Sequence, residues 1–182
     1  MKRALILLLV VPMLAMAEPR PPTGLLSKDG PLPATIPFHL RAPDDRDVAA
    51  ILSDASGRRV ISGYVRAGTA LRLLVPPGNH RLTLAAGVSA DWQGPQDLFG
   101  DQGTTVTLPD PLDFRITPDS RREGHALTTT FTNGALRIAD RQDRTLCQIA
   151  EWDLDTVTET TPAGTELRWL DPQLTTRSRP CD

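Results

Sequence analysis

Helical periodicity is missing from almost the whole chain. Beyond residue 17, no window of eleven or more residues places apolar side chains at a 3.6-residue spacing. Short apolar runs recur instead, roughly ten residues apart, each closed by Pro, Gly, Asn or Asp. A chain patterned this way builds a core by pairing strands and packing their apolar faces together.

The runs are easily located. Val48 to Leu52 and Val60 to Val65 flank Asp54-Ala55-Ser56-Gly57, which predicts a hairpin. Leu71, Leu73 and Val75 share one face of the next run. Pro76-Pro77-Gly78-Asn79 follows, with Pro and Gly at the central positions of a type II turn. His80, Leu82 and Leu84 then alternate with Arg81, Thr83 and Ala85, predicting the clearest hairpin of the chain. Thr104 to Leu108 and Leu112 to Ile116 are separated by Pro109-Asp110-Pro111. Thr128 to Phe131 and Ala135 to Ile138 flank Asn133-Gly134, another hairpin signal. Cys147 to Trp152 and Glu166 to Leu170 are further strand candidates. About eight to ten strands are expected, in an all-β antiparallel sandwich or small barrel.

The first 17 residues follow a different rule. Lys2 and Arg3 precede an apolar run from Ala4 to Leu14, and Ala15-Met16-Ala17 forms an A-x-A site. This pattern predicts a secretory signal peptide over residues 1–17, cleaved after Ala17, and a periplasmic or secreted mature chain. The apolar run is shorter than the roughly 20 residues a spanning helix needs, so no membrane span is expected in the mature protein. Residues 18–35 carry Pro19, Pro21, Pro22, Gly24, Gly30, Pro31 and Pro33 and read as an extended leader and spacer. Residues 36–182 form the expected domain, with 139–182 as a C-terminal extension.

Composition limits the partners. Without Lys2 and Arg3, 18 Lys and Arg stand against 22 Asp and Glu, a net charge of −4. An acidic chain lacks the basic footprint that nucleic-acid binding requires. The chain carries two cysteines, Cys147 and Cys181, and in an oxidising compartment these are expected to form one disulfide. Free thiols or an intermolecular bond are the other states open to them.

One stretch resembles something known. Val75-Pro76-Pro77-Gly78-Asn79-His80-Arg81-Leu82 is followed by Ala86-Gly87, Trp92-Gln93-Gly94 and Leu98-Phe99-Gly100. This resembles small bacterial β domains of exported or envelope proteins with a V-P-x-G hairpin and a W-x-G-x-x-x-L-F-G loop. The hairpin also resembles PEGA and carboxypeptidase-regulatory-like modules, which are transthyretin-like sandwiches. Asn133-Gly134-Ala135-Leu136 sits where the first group carries an N-G-x-L hairpin. The resemblance spans Val48 to Ile138. It implies an antiparallel β-sandwich of transthyretin-like or PEGA-like type and an envelope setting. It implies no activity.

Trp92, Leu98 and Phe99 form the densest large apolar cluster in a chain with few aromatics. Two uses are open to them: a loop folded back to cap the core, or an exposed stacking platform. Asp91 and Asp97 lie in the same loop, which makes Trp92, Phe99, Asp91 and Asp97 the candidate binding residues. His39, His80 and His125 follow no metal-binding spacing, and Asp91, Asp97, Asp101, Asp110 and Asp113 match no calcium loop, so no metal and no cofactor are expected. No nucleophile elbow and no Gly-rich phosphate loop is present. The expected function is a non-catalytic binding or structural module of the envelope. It would hold a protein or glycan partner through the Asp91 to Gly100 loop or an exposed sheet edge. The alternatives are a carbohydrate- or peptidoglycan-contacting module stacking sugars on Trp92, Trp152 or Trp169, and a small secreted hydrolase or inhibitor.

Overall fold

A computed structural model describes residues 19–181. The expected signal peptide lies outside the described residues. Eleven strands form in order: β1 (Gly24–Lys28), β2 (Ile36–Arg41), β3 (Asp47–Ser53), β4 (Arg59–Val65), β5 (Ala70–Val75), β6 (Gly78–Gly87), β7 (Thr104–Thr107), β8 (Leu112–Ile116), β9 (Arg121–Thr132), β10 (Ala135–Thr160) and β11 (Glu166–Pro180). Two single 3-10 turns, Ser89–Asp91 and Gly100–Gln102, complete the described structure.

The strands join in one hydrogen-bonded path, β1-β4-β3-β6-β8-β9-β10-β11. β7 branches from β6, and β2 joins β9 to β5. The path nearly closes, because β5 returns beside β4. A Cβ added at Gly63 on β4 would lie 2.7 Å from Leu73 and 2.8 Å from Leu71 on β5. Inside the barrel-like wrap, alternate residues of each strand interlock. Phe38 and Leu40 of β2, Leu52 of β3, Leu71 of β5, Leu82 of β6 and Phe114 of β8 are all fully buried there.

Four expectations need correction. β5 and β6 do not form a hairpin: β5 pairs with β2, whereas β6 pairs with β3. Pro76 and Pro77 have no N–H groups to join a hairpin ladder, and they turn the chain from one wall of the core to the other. The pairing is not purely antiparallel, since β2 runs parallel to β9 from Phe38↔His125 to Arg41↔Thr128. The 18–35 segment is not merely a spacer. Its β1 pairs antiparallel with β4, with a bulge at Leu25/Ser27, and Arg20 reaches the core. Finally, Ala135 to Ile138 and Cys147 to Trp152 are not separate strands. Both belong to the 26-residue β10, which crosses the expected 138/139 boundary with one bulge.

The β3–β4 hairpin and the Asn133-Gly134 turn between β9 and β10 form as the sequence predicts. Asn133 and Gly134 both adopt positive φ, the conformation that makes Asn-Gly favourable there.

Candidate functional site

The 88–103 segment folds back over the outer face of β3, β4 and β6. Trp92 and Phe99 are 3% and 1% exposed and pack on Ala49, Tyr64 and Ala85. Their rings meet edge to face at 5.4 Å, and Trp92 meets Tyr64 at 4.7 Å. Gly87 and Gly103 permit this approach: a Cβ at either would lie within 2.8 Å of Phe99. The rings therefore have no free surface on which a sugar could stack, and the second apolar layer is the role they fill. Asp91 is half-buried and Asp97 exposed, on the rim of this cover. Among the described residues, no three His, Cys, Asp or Glu side chains converge as a metal ion would require.

The histidines brace the core. His80 and His125 flank Phe114, at 5.7 Å and 5.2 Å between ring centroids. His80 Nε2 donates to the Pro76 carbonyl at 3.1 Å, and His125 Nε2 to that of Asp113 at 2.9 Å. Burial, and secondarily Arg144 and Arg72, hold His39 below the ordinary imidazole range. A shallow polar depression beside His125 contains Arg115, but that guanidinium is already engaged by Glu123 at 2.5 Å and Asp113 at 3.4 Å. Asp143 also lines the depression, 3.4 Å from His125 Nδ1, so the one guanidinium is fully engaged and the depression offers no free cation to an anionic ligand.

The feature that departs most from a closed domain is the far half of β10 with β11. The two strands pair over fifteen residues, from Leu146↔Pro180 to Thr160↔Glu166. Thr161-Pro162-Ala163-Gly164 closes the ribbon. Gly164 N–H donates to the Thr161 carbonyl at 2.8 Å, and Gly164 adopts a positive φ of 82°. β9 accompanies β10 only as far as Cys147↔Arg121. Among the described residues, nothing else pairs with 148–160 on that side.

The disulfide lies at this branch point. Cys147 and Cys181 are bonded, with Cα atoms 5.1 Å apart. Cys147 is thus the residue where β10 leaves β9, and the bridge ties to it the residue that follows β11.

Strand alternation gives the ribbon two unlike faces. Register places Trp152/Leu174, Leu154/Pro172 and Thr156/Leu170 together on one face. The other carries Glu151, Asp153, Asp155, Asp171 and Glu159, with Trp169, Leu167 and Arg177. Arg177 approaches Glu151 at 3.4 Å and Asp153 at 3.9 Å. Asp155 faces Asp171 directly, a like-charge pair that costs stability. Trp152 and Trp169 are 65% and 43% exposed but lie on opposite faces, so they cannot clasp one sugar together.

The sequence singled out Trp92, Phe99, Asp91 and Asp97; the structure gathers the first two into the core and leaves the ribbon as the exposed feature. The available signal was the alternation of Trp152-Asp153-Leu154-Asp155, apolar and acidic by turns. No protein-family model, curated protein or solved structure matches the chain.

Proposed function

We propose that this chain is an exported, non-catalytic binding module of the cell envelope that holds an extended segment of a partner protein along the free edge of β10. The observation that carries this reading is the unpaired edge of 148–160, thirteen residues without a proline. An edge of that length offers a row of backbone donors and acceptors for an added strand. β11 is a poorer acceptor, because Pro172 and Pro180 interrupt its donors. The acidic residues of β10 favour a partner strand carrying Lys or Arg. In this reading the body is a variant of the small envelope sandwich. Its two walls are β1-β4-β3-β6-β7 and β5-β2-β9-β10, bridged by β8.

The test is capture of partners from an envelope extract by residues 18–182, followed by hydrogen exchange on the captured complex. The expected result is new amide protection over 148–160, and loss of capture when residues 152–174 are replaced by an Asn-Gly turn. Protection confined to the body, or unchanged capture by the shortened chain, overturns the reading.

A further inference from the structure

The edge reading leaves the apolar face of the ribbon without a cover. Trp152, Leu154, Leu170 and Leu174 are 65%, 60%, 60% and 57% exposed, and Pro172 lies among them. From Gln148/Ser178 to Thr156/Leu170, five successive rungs of this face hold no charged residue. A two-stranded ribbon is marginal in water unless a layer packs on it. We propose that the layer is the same face of a second copy of this chain, the two ribbons packed face to face and antiparallel. This rests on the ribbon being the exposed binding element, as argued above.

The volumes along the face select the orientation. A two-fold axis at the Leu154/Pro172 rung sets Trp152 and Leu174 of one copy against Thr156 and Leu170 of the other. The largest side chain then meets the smaller rung, which is how facing layers interlock. A parallel arrangement would instead set the Trp152/Leu174 rung on its own copy, the bulkiest rung against the bulkiest, with Trp152 over Leu174. The area is also sufficient for association. Over 148–160 the ribbon is about 43 Å long and roughly 10 Å wide, so each flat face covers on the order of 430 Å². Two such faces, with side-chain relief added, approach the roughly 1,000 Å² of the smaller specific interfaces, which fits a concentration-dependent dimer. A lipid surface is a poorer cover. Residues 148–180 carry six acids and three arginines, and anionic headgroups repel that balance. Face-to-face packing leaves both ribbon edges open, so a partner strand and a second copy do not compete.

Sedimentation of residues 18–182, disulfide intact, tests the dimer. The apparent mass is expected to double between about 1 and 100 µM. Trp152→Thr with Leu174→Thr should hold the chain monomeric throughout that range with an unchanged melting temperature of the body. Leu154→Cys should form an intermolecular disulfide on oxidation, because the two Leu154 side chains flank the axis, whereas Asp155→Cys on the opposite face should not. A wild-type chain that stays monomeric at about 100 µM overturns the proposal. So does a dimer that survives the double substitution, equal cross-linking of the two cysteine variants, or a blue shift of Trp152 fluorescence on neutral vesicles with the chain still monomeric. Failure on these counts leaves the amide protection over 148–160 untouched, so the edge reading stands or falls separately.

Discussion

Tyr64 donates its phenolic hydrogen to the carboxylate of Asp47, and that bond joins the two apolar layers of the molecule to its N-terminal segment. Asp47 is 1% exposed. It also accepts two bonds from Arg20, at 2.7 and 2.6 Å, and one from the Ala67 N–H at 2.8 Å. Tyr64 meanwhile packs its ring against Trp92 and Phe99. One carboxylate thus pins the start of the described chain, the β4–β5 turn and the cover over the outer sheet face.

Replacing Tyr64 by Phe keeps the ring packing and removes one bond to a buried charge. Stability should fall by about 1.5–3 kcal/mol, the usual worth of a hydrogen bond to an ionised group. Urea unfolding measures it. A loss under about 0.5 kcal/mol would show that the pair is incidental.

The same network sets the acid limb of stability. Burial alone would raise the Asp47 pKa. The bonds from Arg20, Tyr64 and Ala67 outweigh it and hold the group below the ordinary carboxylate range. A depressed folded pKa stabilises the fold above the unfolded value near pH 4, and this contribution is lost as pH falls through the folded value. Tyr64 is pushed up, by burial first and then by Asp47, and remains a neutral donor across that window. Melting temperature should therefore decline below about pH 4. Asp47→Asn should be less stable at neutral pH and show a shallower acid decline. An equally steep decline in the variant would assign the acid limb to other carboxylates.

Gly124 marks the parallel pairing of β2 with β9. A Cβ there would lie 1.9 Å from the Pro37 carbonyl oxygen, a backbone atom with nowhere to go. Gly124→Ala should cost about 3 kcal/mol or more, with increased amide exchange centred on β2. A neutral substitution would show that the two strands separate readily.

Removing the disulfide should act locally. The bridge spans a sequence separation of 34, and loop-closure entropy puts its upper worth at roughly 3.8 kcal/mol. That constraint bears on the ribbon rather than on the buried layers. Cys147→Ser with Cys181→Ser should speed amide exchange through β11 and leave β3 and β6 protected. Uniform loosening of the whole chain would place the bridge in the global folding unit.

Much of the β character was legible because alternation is local. Val60 to Val65 and Asn133-Gly134 announce their strands through side chains and turn geometry a few residues apart. The pairing of those strands was less so. Leu71, Leu73 and Val75 alternate just as Leu82 and Leu84 do, and that pattern is the same whether two strands lie side by side or face each other across a core. β5 and β6 do the latter. The stretch from Ala139 to Thr145 carries almost nothing apolar, yet it is strand because β9 pairs with it. The ribbon's candidate role was hidden for the same reason: Trp152 and Leu154 look like core residues until their surroundings are known.

Sequence alone settled the all-β class and two of the hairpins, which follow from dihedral preference and side-chain period and need no distant contact. It named the Cys147–Cys181 bridge as the expected state of two thiols, and the structure's 5.1 Å Cα separation decided it over free thiols or an intermolecular bond. Tertiary structure decided that Trp92 and Phe99 lie inside, that Pro76-Pro77 crosses the core, and that Trp152 and Leu174 stand in water. Burial depends on which surfaces meet, and residues far apart along the chain set that jointly.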